Sequence, residues 1–422
     1  MTDTPRDAPD TVDATDATLL SQNSRSGPAP APAVTSRRNT VLPRVEWNGG
    51  RAALIPPQRE RFEEMRQLGQ GGMGEVVLLK DNDIERLVAL KRLPEDADLD
   101  RVLRFVEEIR TVGQLDHPNI VPVHDVGIDE HGRYFFVMKH LQGDTLESII
   151  SRLRRGDRAT HERFSFRARV QVFLAVLNAV AYAHRKGIIH RDLKPANIMV
   201  GPFGEVTVLD WGLARRVRAP GASTPDSQGV AARIHPMSAV ERPVGLRDAP
   251  SLRTQAGSVV GTPMYMSPEQ ARGEQDALDA RSDVYSLAVV FHELLFLHHY
   301  LEGRGSLEHI LDGVQKVMPV VGAHELDPRQ QYVPAELSWF VVKGLQKDVA
   351  KRYQSVEEMI GALQSLLEGH ILVKCQRTLL KRGLHEVLHF VDGHPVGVII
   401  GSTMVAAVVV GSVAYTLMSL LG

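Results

Sequence analysis

What most constrains this chain is a change in apolar rhythm part-way along it. Residues 75–80, 87–92, 120–123 and 134–140 are apolar runs of strand length, rich in β-branched and aromatic side chains. Between them Val102, Phe105, Val106, Ile109 and Val112 recur at helical spacing. From residue 167 the rhythm turns helical and stays so to about residue 367, beginning with Val170, Phe173, Leu174, Leu177, Val180 and Ala181. A small strand-rich lobe with one helix, followed by a larger helical lobe, predicts a two-lobed α+β domain over 61–367.

The flanks read differently. Residues 1–60 are rich in Pro, Ala, Ser, Thr and Asp and have no sustained apolar period. Such a stretch buries too little surface to offset the entropy of ordering, which predicts a disordered arm. Residues 216–253 carry Pro220, Gly221, Pro225, Gly229, Pro236, Pro243 and Pro250, the mark of a long loop insertion. After a linker over 368–394, residues 395–422 contain no Asp, Glu, Lys, Arg or His. A hydrocarbon core of ~30 Å needs about 20 apolar residues in a helix, so a transmembrane helix is expected over 395–421. A buried core helix is the competing reading, and the length of the run argues against it. Lys374, Arg377, Lys381 and Arg382 precede the helix, which puts the globular part on the cytoplasmic side. So little follows the helix that no sensor domain is expected beyond it. The polar, acidic start lacks the pattern of a signal peptide. A net charge of -2 argues against a dedicated nucleic-acid binder. The lone Cys375 cannot close an internal disulfide and reads as a spectator.

The residues that handle phosphate come next. Residues 68–76 read LGQGGMGEV, a G-x-G-x-x-G-x-V made of Leu68, Gly69, Gln70, Gly71, Gly72, Met73, Gly74, Glu75 and Val76. Glycines let backbone N–H groups approach a phosphate closely. A dinucleotide-binding turn has similar spacing but opens a helix, whereas strand-type sequence follows here. A plain glycine-rich hairpin also fits the string taken alone. Residues 88–91 read VALK, and Lys91 at the end of an apolar strand can hold phosphates as a point charge. It needs an anionic partner, for which Glu108 on the following helix is the choice. Glu107 lies on another helical face and is expected in solvent.

Residues 190–197 read HRDLKPAN, and residues 210–212 read DWG. With these strings in place the chain resembles the eukaryotic-like protein kinases, most closely the bacterial transmembrane serine/threonine kinases. The resemblance covers 61–367 and implies the two-lobed protein kinase fold, with ATP and Mg²⁺ (or Mn²⁺) between the lobes. It implies that Asp192 accepts the proton of the attacking hydroxyl and that Lys194 neutralises the transferring phosphoryl group. Asn197 and Asp210 would each hold a metal ion. Lysine at 194 followed by Pro195 is the pattern of the serine/threonine type. By resemblance Val76, Ala89 and Met199 would sandwich adenine, with Met138 at the back of the pocket and 139–141, ending at Leu141, as the hinge. The family has Phe where this chain has Trp211, which is expected to fill the same apolar place.

Two other classes compete: a catalytically dead membrane scaffold and a small-molecule kinase. Lys91, Asp192 and Asp210, whose loss marks a dead kinase, are all present. Residues 261–269, GTPMYMSPE, resemble the platform for a peptide substrate, which small-molecule kinases lack. Glu269 is expected to pair with Arg352, and Asp283 to anchor the catalytic loop. Arg191 implies control by a phosphate on the activation segment, with Thr254 favoured as acceptor and Ser258 second. Thr262 is expected to hydrogen-bond Asp192 and Lys194 instead. Protein substrates are the implied partners. Gly397, Gly401, Ala407 and Gly411 carry small-residue spacing that would suit a homodimer of membrane helices, though such residues are frequent in membrane helices generally.

Overall fold

The computed structural model describes residues 40–48, 50–55, 59–71, 74–216, 263–319, 329–368 and 395–421. The expected insertion beyond Arg216, the linker with its basic quartet, Cys375, Gly72, Met73, Gly261, Thr262 and the candidate acceptors Thr254 and Ser258 lie outside these residues.

Two short strands, β1 (Arg44–Asn48) and β2 (Arg51–Ile55), form an antiparallel hairpin inside the stretch read as disordered arm. The reason is local. Asn48 pairs with Arg51 across a two-residue Gly-Gly connection, and Gly50 takes φ +84°. Tight hairpin turns of this length favour such glycines. The segment is also stitched to the domain, because the backbone N–H groups of Val41 and Leu42 donate to Asp83 Oδ1 at 2.7 and 3.0 Å.

The small lobe is a five-stranded antiparallel sheet built from β3 (Phe62–Gly71), β4 (Gly74–Asp81), β5 (Arg86–Arg92), β6 (Val123–Ile128) and β7 (Tyr134–Lys139) in the order β3-β4-β5-β7-β6. Side chains alternate between its faces. Val77, Leu79, Val88, Leu90, Phe135 and Val137 form one apolar cluster with Phe62. The other face meets helix α1 (Leu99–Val112) through Phe136, Phe105 and Leu93. Asp98 caps α1 by accepting from Arg101 N at 2.8 Å. The strand expected at 120–123 starts only at Val123, and Ile120 instead makes a single bridge to Val208. Pro122 supplies no N–H to a ladder there; its carbonyl accepts from Lys139 N at 3.2 Å.

Helical structure begins earlier than residue 167, with α2 (Leu146–Arg154) and α3 (Arg158–Arg163). Leu146, Ile149, Ile150 and Leu153 form the buried stripe of α2, a short helical pattern that the longer one after it outweighs. The large lobe is centred on α4 (Phe166–Arg185) and α6 (Ala280–Phe296), with α5 (Pro268–Ala271), α7 (Leu307–Lys316), α8 (Ala335–Gly344) and α9 (Val356–Leu367) around them. Every residue of α6 from Ser282 onward except Glu293 is buried. Phe173 of α4 stacks on Phe291 of α6 at 4.1 Å, and Phe340 of α8 packs edge-on to both. Short ribbons bracket the loop between the lobes: β8 (Asp144–Thr145), β10 (Ile198–Val200) and β11 (Val206–Val208) in one, β9 (Ile188–Ile189) and β12 (Arg215–Arg216) in the other.

The last described element is α10 (Pro395–Leu421). Its stretch Ile399–Ser419 has mean hydropathy 1.8, is long and apolar enough to cross a membrane, and is not buried against the domain. Helix α4 is similarly long and apolar, but more than half of it is buried as the centre of the large lobe.

Candidate active site

The sheet register sets the upper half of the site. Val76 pairs with Lys91 and Ala89 with Met138, so these four side chains share one face, alternating with the cluster on the other. The glycine-rich turn connects β3 and β4. At its end Gly74 has φ +130°, and a Cβ there would lie 2.1 Å from the Arg92 carbonyl oxygen. Only glycine tolerates both the angle and the approach. A cavity of about 640 Å³ lined by Glu64, Arg92, Arg133 and Phe135 opens on the opposite face and is no part of this site.

Lys91 Nζ lies 2.6 Å from Glu108 Oε1 and 3.9 Å from Asp210 Oδ1. Glu108 is 4% exposed, whereas its neighbour Glu107 stands in solvent beside Arg110. Burial pushes the Glu108 carboxyl upward against the opposing pull of Lys91. Its second oxygen, Oε2, is buried without a partner. Strand β5, helix α1 and the loop after β11 thus meet at one ammonium group.

The lower half is the loop between β9 and β10. Lys194 Nζ donates to Asp192 Oδ2 at 2.7 Å. Asn197 Nδ2 donates to the Asp192 carbonyl at 2.9 Å and stands 3.3 Å from its Oδ2. Asp283, fully buried on α6, accepts from the backbone N–H of His190 at 2.8 Å and of Arg191 at 2.9 Å. Its Oδ2 also meets His184 Nε2 at 2.7 Å. Burial alone would raise this carboxyl, but the His184 hydrogen bond and the neighbouring charges outweigh it and hold it below its ordinary value. Arg191 and Asp210 have φ of +70° and +55°. Such angles in non-glycine residues cost about 1–3 kcal/mol each and persist where surrounding contacts over-determine them. Asp283 and Gln270 bond the Arg191 backbone directly, while His184 holds Asp283 and Asn197 holds the adjoining Asp192.

Trp211 is 1% exposed and lies in the same apolar core as Val112 and Leu115 from the end of α1, with its ring 4.5 Å from His190. It fills the apolar place expected of it, with its Nε1–H unpartnered. Further down, Arg352 Nη1 and Nη2 donate to Glu269 Oε1 and Oε2 at 2.8 and 2.9 Å, a buried two-pronged pair.

This arrangement coincides with what the sequence matches: the family described as protein kinase domain, over residues 62–362. The chain belongs to the protein kinase family. Among similar proteins, the serine/threonine-protein kinase PknD of Protochlamydia amoebophila is 36% identical over 324 residues, covering 75% of this chain and 31% of the relative. PknD of Chlamydia trachomatis serovar D is 33% identical over 316 residues, 74% of this chain and 32% of the relative. The probable serine/threonine-protein kinase SCO3848 of Streptomyces coelicolor is 34% identical over 318 residues, 73% and 40%. The matched region thus spans about a third of the length of these relatives.

As a kinase site the donor set is coherent. Asp210 and Asn197 offer hard oxygens, and the Asp210 side chain is 38% exposed towards solvent. Mg²⁺ is held by one or two such groups together with substrate phosphates, not by a protein cage. Among the described residues no group of three or more His, Cys, Asp or Glu is arranged to hold a metal by itself. Val76, Met138, Leu141 and Met199 are half-buried, as groups lining an open cleft should be, and Ala89 is buried behind them. Three residues that the sequence did not single out contact this framework: His184, Gln270 and Gln275. Gln270 and Gln275 bond Arg191 from distant positions, and His184 bonds Asp283 across 99 positions, so no local string marks them.

Proposed function

We propose that this kinase transfers the γ-phosphate of ATP to serine and threonine hydroxyls of proteins, from a position at the membrane. The observation that carries the reading is Lys91, held at once by Glu108 and close to Asp210, above the Asp192–Lys194–Asn197 cluster. In this reading Lys91 holds the α- and β-phosphates and the glycine-rich turn covers them. Asp192 takes the proton of the substrate hydroxyl as its oxygen bonds to the γ-phosphorus and the bond to ADP breaks. Lys194 balances the charge on the moving phosphoryl group. Asp210 and Asn197 would hold Mg²⁺, which supplies further charge neutralisation when bound. Most of the catalysis is therefore positioning and electrostatics.

The peptide platform, anchored by Glu269 and Arg352, favours a protein substrate over a small molecule. Helix α10 would tether the domain, with the catalytic lobes on the cytoplasmic side. Thr254 and Ser258 are the proposed activating acceptors, modified by the kinase itself, and close packing of α10 around Gly401 would bring two copies together for that step.

The deciding experiment incubates the full chain in detergent micelles with labelled ATP, Mg²⁺ and a basic protein, beside Asp192→Asn. Label on serine and threonine that disappears in the variant is the expected result. No label in either refutes the reading and leaves the scaffold, and equal label in both refutes the role of Asp192. Phosphopeptide mapping of active protein tests the acceptors, and unchanged self-association in Gly401→Leu would remove the dimer. Extraction at alkaline pH tests the membrane tether: protein released without detergent is not held by α10.

A further inference from the structure

Arg191 is held more tightly than a surface arginine beside a reacting centre needs to be. Its backbone N–H donates to Asp283 and its carbonyl accepts from Gln270 Nε2 at 2.9 Å. Its guanidinium is largely buried, and that burial, with the like charge of Arg215 nearby, lowers its pKa. Its Nε is buried without a hydrogen-bond partner. Among the described residues no carboxylate forms an ion pair with Arg191 or with Arg215. Asp283 is the acidic group facing Arg191, and its oxygens are already engaged by His184 and two backbone N–H groups.

What the guanidinium does reach is Gln275. Arg191 Nη2 donates to Gln275 Oε1 at 3.1 Å. Arg215 Nη1 donates to the carbonyl of the same residue, also at 3.1 Å. Gln275 stands in a single turn of 3-10 helix, Gln275–Ala277, just beyond α5. It is tied back by its own N–H to Gly273 O at 2.9 Å. One neutral residue therefore receives two cations, one of them adjacent in sequence to Asp192.

We propose that Gln275 is a positioning residue of the catalytic loop: an uncharged clamp that holds Arg191, and with it the strained Arg191–Asp192 backbone, while the activation segment carries no phosphate. The proposal rests on the kinase reading above and on Arg191 and Arg215 being the cations that an activating phosphate would meet. A phosphate offers charge as well as acceptors, so its arrival would displace the amide and make it dispensable. Gln275 then sets the activity of the unmodified enzyme and has little effect on the modified one.

The test uses the full chain in detergent micelles, as wild type, Gln275→Ala and Gln275→Glu, each either treated with phosphatase or incubated with ATP and Mg²⁺. Hydrogen exchange of the amides in 190–197 and steady-state kinetics are both read. In the phosphatase-treated protein Gln275→Ala should speed exchange in this loop and lower kcat by about threefold to tenfold, the scale of one lost hydrogen bond, with KM for ATP unchanged. Gln275→Glu should keep the loop protected and raise kcat towards that of the phosphorylated wild type. In the phosphorylated protein the alanine variant should match wild type. Equal losses in both phosphorylation states would reduce Gln275 to a structural residue and overturn the proposal, as would no change in either. A wild type without transferase activity would defeat the kinase reading, and the exchange comparison would still decide the role of Gln275. A wild type indifferent to phosphatase would defeat the phosphate reading, and loop exchange unmoved by Gln275→Ala would defeat this one.

Discussion

Replacing Arg352 by Met should destabilise the large lobe severely, and the structure sets the size of the effect. Arg352 and Glu269 are each 2% exposed and joined by two hydrogen bonds of 2.8 and 2.9 Å. Removing one partner strands a buried charge, at a cost of about 3–5 kcal/mol. The carbonyls of Gln346, Arg281 and Lys347, which accept from the same guanidinium, lose a donor as well. A domain of about 300 residues unfolds with an entropy of roughly 0.6 kcal/mol per kelvin, so Tm should fall by about 5–8 °C. The effect depends on pH in a defined direction. Burial pushes the Glu269 carboxyl up, but the Arg352 hydrogen bonds and charge outweigh it, and its pKa lies below the ordinary value. Its contribution to stability is therefore fully present above the unfolded pKa and lost as pH falls through the lowered folded value. Without Arg352 burial acts alone and the carboxyl moves upward. The deficit of the variant should be largest near neutral pH and shrink as pH approaches the unfolded carboxylate value of about 4. Thermal unfolding followed by circular dichroism across pH, with Glu269→Gln and the double variant completing a cycle, measures this. A loss under about 1 kcal/mol, or strictly additive single effects, would refute a coupled buried pair.

Three further outcomes follow from other sites. Lys91→Met should abolish phosphate transfer and also lower Tm, because Glu108 would be left buried without its counter-ion; a loss of activity with Tm unchanged would place Glu108 in solvent. Gly74→Ala should weaken both nucleotide binding and folding, since the added carbon collides with the Arg92 carbonyl at 2.1 Å; unchanged Tm and unchanged protection by ATP would contradict the turn geometry. Lys347 sits between Tyr285 and Tyr300, donates to Tyr285 Oη at 2.6 Å, and is lowered by burial to a pKa of about 7. The unfolded chain holds this proton more tightly, so the lysine reduces stability at low pH and the penalty fades as pH rises towards the unfolded value. Lys347→Met should raise Tm more at pH 6 than at pH 9, and equal gains at both would show that the amine is charged throughout.

The parts of the site that were legible in the sequence are those that local chemistry dictates. The turn at 68–76, Lys91 at the end of its strand and the string at 190–197 are each legible because their chemistry-bearing residues lie within one short contiguous string. The Lys91–Glu108 pair is legible because a lysine ending an apolar strand needs an anionic partner, whereas the Glu269–Arg352 pair is legible only through the family resemblance. What stayed hidden depends on packing between distant segments. The amide of Gln275 reaches Arg191 across 84 positions, and His184 reaches Asp283 across 99. Neither residue has a distinctive neighbourhood. The hairpin over Arg44–Ile55 was missed for the opposite reason. The Gly-Gly pair is present in the sequence, but the proline-rich composition of the surrounding arm outweighs two strands of five residues each. Helix α2 was likewise masked by the stronger period of α4.

The placement of Asp283 has a consequence for how far this protein can vary. The aspartate that holds the catalytic loop belongs to a helix buried on nearly every side, so the tolerance of the loop is the tolerance of the core. A volume error at Val284, Leu287 or Phe291 would be felt at Asp192 as a shift in aim. Changes confined to the surface should leave that aim intact. Diversity in what the enzyme acts on, and when, is therefore expected to accumulate in segments that attach to this helix without shaping it. Redesign of the molecule should treat α6 as a fixed datum from which everything else is measured.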